Sequence, residues 1–114
     1  MEVFAAPARE LESFGSAGVR MVRAALVEQE QDGFAVDVVR IAPGGSIGRH
    51  PTRLWQLFLV VEGRGWVSGA DDRPVPVEAG TAASWSPGEE HGAGSADGML
   101  AVVVQCRTPP LEAP

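Results

Sequence analysis

Lysine is absent from this chain of 114 residues, and its nine basic residues are all arginine. Fifteen acidic residues leave a formal net charge of −6. An acidic chain repels a phosphate backbone, and the arginines form no cluster along the sequence. We therefore expect no nucleic-acid partner.

Cysteine and long hydrophobic runs are also scarce. The one cysteine, Cys106, cannot form an internal disulfide, and its place after the apolar residues 102–104 favours a small buried hydrophobe over a nucleophile. The longest apolar run, residues 57–61, is too short to span a membrane. The first residues lack the basic start and continuous apolar stretch of a signal peptide. We expect no membrane partner and a reducing, cytoplasmic location.

Glycine and proline are abundant, with 14 and nine residues. The length suits a single domain over 1–114, and the many turns favour short strands over a helical bundle. Asp32-Gly33 is a hairpin signal between predicted strands, and Pro43-Gly44-Gly45 is predicted to end the second of them. The predicted strands cover residues 19–29, 34–41, 55–61, 66–68, 74–77, 82–85 and 99–105, with one more opening at His91. Eight or nine short strands at near-regular spacing indicate a sandwich or barrel.

Two glycine-rich segments each lead to one of the only two histidines of the chain. The first runs from Gly44 through His50 to Gln56, and the second runs from Gly80 to His91. Each histidine stands at the mouth of a predicted strand, which is where a small β-barrel places groups that converge inside it. The pair therefore predicts both a fold and a site.

The spacing of these segments resembles the two sequence motifs of the cupins, which are small β-barrels of jelly-roll type. The matching positions are Gly44, His50 and Gly63 in the first motif and Gly80, Gly88 and His91 in the second. The departures are Thr52 for a second histidine, Gln56 for a glutamate, Ser86 for a proline and Ser95 for an asparagine.

The resemblance covers roughly residues 35–105 and leaves 108–114 as a frayed tail. It implies an all-β fold, the cupin-type jelly roll or double-stranded β-helix barrel, in one of the small single-domain members of the family. Cupins perform many reactions, so the fold alone does not define the activity.

In most cupin enzymes three histidines and one glutamate hold a divalent metal. By this resemblance the chain supplies His50, Gln56 and His91, and two imidazoles can anchor one Zn, Fe, Ni, Mn or Cu ion. Loss of the glutamate removes the anionic ligand. The affinity for the metal should therefore fall, and coordination positions on the metal should stay open. The alternative is that both histidines are hydrogen-bonded pocket residues that hold no metal.

Other residues are assigned to the barrel interior or to contacts between chains. The candidate ligand-pocket residues are Phe58, Val60, Trp85 and Met99. Both faces of the strand at 57–61 are apolar, which predicts a second layer over its outer face and fits a homodimer.

Three functional classes stay open. We favour a protein that binds a small molecule, through the reduced His/Gln metal site or without it. The first alternative is a metal-dependent enzyme of oxygenase or isomerase type, and the second is a non-catalytic structural cupin. No nucleophile with an orienting acid, phosphate loop or dinucleotide motif is visible, so the catalytic residues are not assigned.

Overall fold

Residues 1–111 are described here from a computed structural model, and nearly all of their regular structure is β-strand. A single 3₁₀ turn, Ser13–Gly15, lies between the first two strands. The strands are β1 Ala8–Glu10, β2 Ala17–Val27, β3 Phe34–Pro51, β4 Trp55–Ser68, β5 Val75–Glu78, β6 Ala82–Trp85, β7 Glu90–Gly94 and β8 Met99–Cys106.

All of the strand pairs are antiparallel, and the long strands β3 and β4 organise them. Strands β7 and β8 each pair with both β3 and β4, so these four strands form a closed ring. Strands β2 and β1 extend the sheet from β3, while β5 and β6 pair with β4. The predicted all-β barrel is confirmed.

The strand after the Asp32-Gly33 turn is longer than predicted. The expectation that Pro43-Gly44-Gly45 ends it is wrong, because β3 continues through this segment to Pro51. The segment instead forms a corner at which β3 changes neighbours, from β8 at Ile41 to β7 at Ser46. Gly44 has a φ of 80° there, and its N–H still donates to the carbonyl of Ser95 at 2.8 Å. Because the backbone stays hydrogen-bonded, the glycines bend the strand without ending it.

Alternation along the strands defines an apolar interior. Burial of each large aliphatic or aromatic side chain there contributes about 1.5–3 kcal/mol to stability. The core consists of Val19, Val39, Ile41, Phe58, Val60, Val67, Val77, Trp85, Ala93, Met99, Ala101 and Val103.

The same alternation leaves a second set of aliphatic side chains on the outside of β3, β8 and β4. Val38, Val102 and Leu59 form one cross-strand row, and Val104 and Leu57 form the next. Leu59 and Val61 are 36% and 46% exposed. We refer to Val36, Val38, Leu57, Leu59, Val61, Val102 and Val104 as the outer aliphatic face.

The described residues contain no helix with the length and hydropathy needed to cross a bilayer. The prediction of an irregular tail over 108–114 falls partly on 112–114, which lie outside the described residues, and 108–111 carry no strand.

Candidate functional site

The two histidines meet at one end of the barrel. His50 on β3 and His91 on β7 are direct cross-strand partners, which places their side chains on the same face. Their ring centroids are 4.3 Å apart, and the rings are tilted by 57°. Gln56, near the start of β4, approaches from the next strand, with 3.3 Å between its Nε2 and Nε2 of His91. The structure therefore brings His50, Gln56 and His91 together on one cavity.

This cavity, which we call the His/Gln cavity, has a volume of about 150 Å³. Its polar lining is His50, Gln56, His91 and Gln105, together with Arg9 of β1. Its apolar lining is Leu11, Phe14, Met21, Val39, Ile47 and Val103. No carboxylate is among these lining residues. The cavity thus combines hydrogen-bonding groups with an apolar wall and a single guanidinium.

A hydrogen bond to the backbone determines the tautomer of His50. Its Nδ1 lies 2.7 Å from the carbonyl oxygen of Gly48. Since a carbonyl only accepts, Nδ1 carries the hydrogen, and in the neutral ring Nε2 keeps a lone pair.

His91 is the more deeply buried histidine, with 4% of its surface exposed. Its Nδ1 is buried and has no hydrogen-bond partner among residues 1–111. Burial, reinforced by the neighbouring His50 ring, lowers the pKa of His91 from 6.5 to about 4. His91 is therefore neutral at physiological pH.

Phe14 forms part of the cavity wall that comes from the N-terminal segment. Phe14 lies in the 3₁₀ turn with a φ of 62°, and its ring stacks on His50 at 3.9 Å between centroids and 7° between planes. Gly48 makes this approach possible, because a Cβ there would overlap the carbonyl of Phe14. Its N–H donates to Oγ of Ser16 at 2.9 Å, which ties the turn to β3. Sequence reasoning missed Phe14, since only tertiary packing brings this turn to His50.

The candidate ligand-pocket residues Phe58, Val60, Trp85 and Met99 lie in the packed core and not on the His/Gln cavity. Trp85 is the nearest to the site, with its ring centroid 4.8 Å from that of His91, and its Nε1 donates to the carbonyl of Ser68. Phe58 in turn packs edge-to-face against Trp85, with 6.2 Å between the ring centroids.

The donor set does not fit the four-ligand metal centre of the family. Thr52, which replaces the second histidine, is buried, and its hydroxyl donates to the carbonyl of Ser86 at 2.8 Å. This hydroxyl is therefore engaged in a backbone hydrogen bond and is not counted among the metal donors. Across residues 1–111 no three His, Cys, Asp or Glu side chains are grouped as metal ligands. The donors that remain are the imidazoles of His50 and His91 and the amide of Gln56.

Sequence reasoning also missed Asp37, which is 2% exposed. It lies on the inner side of β3 with Val39 and Ile41, and its Oδ1 accepts a hydrogen bond from Nε of Arg23 at 2.6 Å. The signal was present, because residues 37, 39 and 41 share one face of the predicted strand.

The sequence of this chain matches the profile of the cupin domain over residues 37–105. This match covers more than half of the chain, which therefore belongs to the cupin family. It is a small cupin-domain protein, and the predicted jelly-roll barrel is confirmed. A search of curated proteins gave no match.

Solved structures share the fold at low sequence identity. A cupin-like protein from Thermotoga maritima has a TM-score of 0.79 and 17% identity, covering 95% of this chain and 83% of its own. The polyketide cyclase RemF from Streptomyces resistomycificus has a TM-score of 0.75 and 20% identity, covering 97% of this chain and 82% of its own. A predicted oxalate decarboxylase, also from Thermotoga maritima, has a TM-score of 0.72 and 19% identity, covering 93% of this chain and 99% of its own. At these identities the similarity shows the fold alone.

Proposed function

We propose that this protein binds a small molecule in the His/Gln cavity. The observation that carries the proposal is the convergence of His50, Gln56, His91 and Gln105 on a cavity whose remaining wall is apolar except for Arg9. A few polar groups that orient a ligand within an apolar enclosure are typical of small-molecule sites.

The cavity favours a ligand with a small ring and one hydroxyl group. A cavity of about 150 Å³ accommodates a molecule the size of benzene. Val39 and Val103 offer apolar contacts, and Nε2 of His50 can accept a hydrogen bond in the tautomer that carries its hydrogen on Nδ1.

Phenol is a suitable probe, because it has this ring and this donor. We expect calorimetric titration to give phenol a higher affinity than toluene, which has the same shape without a donor. Gln56→Leu, which removes an amide from the cavity, should weaken phenol binding, whereas Gln31→Leu makes the same change at an exposed turn and serves as the matched control. Equal affinity for phenol and toluene, or no binding of either, contradicts the proposal.

A divalent metal held by His50, Gln56 and His91 is a second candidate, which leads to the enzyme alternative of oxygenase or isomerase type. The observation that favours it is the hydrogen bond from Nδ1 of His50 to Gly48, because metal-binding histidines usually donate their other ring N–H in this way. A bound metal would supply Lewis-acid or oxygen-activating chemistry.

Elemental analysis of protein purified without added metal tests this candidate. A stoichiometric amount of Zn, Fe, Ni, Mn or Cu that is lost in His50→Ala would support it. Absence of metal from both proteins contradicts it and leaves the metal-free binding site, or the non-catalytic structural alternative.

We also propose that the chain forms a homodimer through the outer aliphatic face. Arg40 and Glu62 pair with Leu100 from opposite sides at the border of this face. In a two-fold dimer, Arg40 of one copy can therefore approach Glu62 of the other. A cytoplasmic location is consistent with the free thiol of Cys106.

A further inference from the structure

A second cavity adjoins the His/Gln cavity. Arg9 and Met21 line both cavities, whereas Arg23, Leu26 and Asp37 line only the second one. Its volume is about 350 Å³, and it includes none of the residues of the two cupin motifs. We refer to it as the Arg/Asp cavity.

Asp37 provides a buried acceptor with spare capacity. Its Oδ1 is paired with Nε of Arg23, but its Oδ2 is buried and has no hydrogen-bond partner among residues 1–111. A buried carboxylate oxygen without a donor is energetically unfavourable. A hydroxyl from a bound molecule would satisfy this oxygen.

The guanidinium groups supply the complementary charge. Arg23 contacts Asp37 through Nε only, and its remaining N–H groups form no hydrogen bond with the described residues. Arg9 takes part in no ion pair within residues 1–111. Two arginines and one aspartate leave one net positive charge, and guanidinium N–H groups match the geometry of a carboxylate. Met21 and Leu26 add an apolar wall.

We propose that the Arg/Asp cavity binds a small hydroxy acid, with its carboxylate between Arg9 and Arg23 and its hydroxyl donating to Oδ2 of Asp37. A carboxylate without the hydroxyl would bring further lone pairs towards Oδ2. An alcohol without the carboxylate would leave the net positive charge unmatched. The ligand therefore needs both groups, and an apolar substituent on it can contact Met21 and Leu26.

Three probes of similar size separate these requirements: mandelate has both groups, phenylacetate lacks the hydroxyl, and benzyl alcohol lacks the carboxylate. We expect calorimetric titration of the full chain to give mandelate about ten-fold or higher affinity over phenylacetate, because a hydrogen bond to a charged group is gained. Benzyl alcohol should bind more weakly than mandelate. Equal affinity for mandelate and phenylacetate would overturn the proposal.

Two variants and one control test the residues assigned to the ligand. Arg9→Ala should lower the mandelate affinity by about ten-fold, whereas Arg73→Ala, which removes an exposed arginine that lines neither cavity, should leave it unchanged. Asp37→Asn should reduce the preference for mandelate over phenylacetate. If Asp37→Asn does not fold, the preference measured in the wild type still decides the question. An unchanged mandelate affinity in Arg9→Ala also overturns the proposal.

NMR separates this proposal from the proposed function. Mandelate in the Arg/Asp cavity should shift the Nε–H signal of Arg23, which does not line the His/Gln cavity. Phenol in the His/Gln cavity should shift the imidazole signals of His50 and His91. Either result can fail while the other holds.

Discussion

His50 and His91 face each other directly across β3 and β7, with 4.3 Å between their ring centroids, although all of β4, β5 and β6 separates them along the chain. This pairing depends on the continuation of β3 through the corner at Gly44 to reach β7. Strand β3, which the sequence predicted to end at residues 43–45, therefore carries His50 to the site.

The burial of His91 predicts that acid destabilises the fold. Its pKa is about 4 in the folded chain, because burial disfavours the charged ring, against 6.5 for an ordinary histidine. Below about pH 6.5 the unfolded chain binds a proton at His91 that the folded chain does not bind. The free energy of unfolding is therefore at its full value above this pH and decreases as the pH falls towards 4. We expect a loss of up to about 3 kcal/mol in the free energy of unfolding.

Urea unfolding in metal-free buffer, followed by tryptophan fluorescence, measures this loss. His91→Gln is the matched variant, because it keeps a polar side chain but cannot titrate in this range. Its stability should fall less between pH 7 and 4 than that of the wild type. Parallel pH dependences for the two proteins would show that His91 is not the responsible group.

Phe14 has an unfavourable backbone conformation, and its ring stacks favourably on His50. A φ of 62° costs a non-glycine residue about 1–2 kcal/mol, which glycine avoids. Phe14→Ala and Phe14→Gly both remove the stack on His50, but only glycine also removes the strain. We expect Phe14→Gly to be the more stable of the two by about 1 kcal/mol in thermal or urea unfolding. A less stable glycine variant would contradict this description of the turn.

Gly48 should tolerate no side chain. An added Cβ would overlap the carbonyl of Phe14, so Gly48→Ala must displace the 3₁₀ turn, and we expect a loss of at least about 2 kcal/mol in the free energy of unfolding. Gly44→Ala is the matched control, because a Cβ there meets open space and adds only the strain of a φ of 80°. Equal losses in the two variants would indicate that Phe14 does not lie against β3.

The outer aliphatic face predicts a dimer that one charge can break. The wild type should have twice the chain mass by light scattering at micromolar concentration, and Leu59→Arg should have the mass of one chain, because a buried unpaired charge is costly. Val75→Arg places the same charge at an exposed position on β5, outside this face, and should remain dimeric. A monomeric wild type would refute the proposed interface.

Local patterns in the sequence were sufficient to predict the barrel. Strand alternation and turn residues predicted most strands, and the spacing of the glycines and histidines predicted the cupin fold. The sequence also pointed to His50, Gln56 and His91, which the structure brings to one cavity. Their role as metal ligands stays a prediction.

The remaining features depend on contacts that no local pattern encodes. Phe14 and Arg9 reach the cavity only because the N-terminal segment folds back along β2 and β3. Conversely, Phe58 and Trp85 were expected on a pocket but pack in the core, because periodicity assigns a face of the strand and not a depth along the barrel.

The most direct test of the central claim uses the fact that the chain has only two histidines. Two imidazole spin systems report on the cavity in a ¹⁵N NMR titration with phenol. We predict that the signals of both His50 and His91 shift together and saturate, and that toluene causes smaller shifts at equal concentration. Imidazole signals that do not move at saturating phenol would contradict a small-molecule site in the His/Gln cavity.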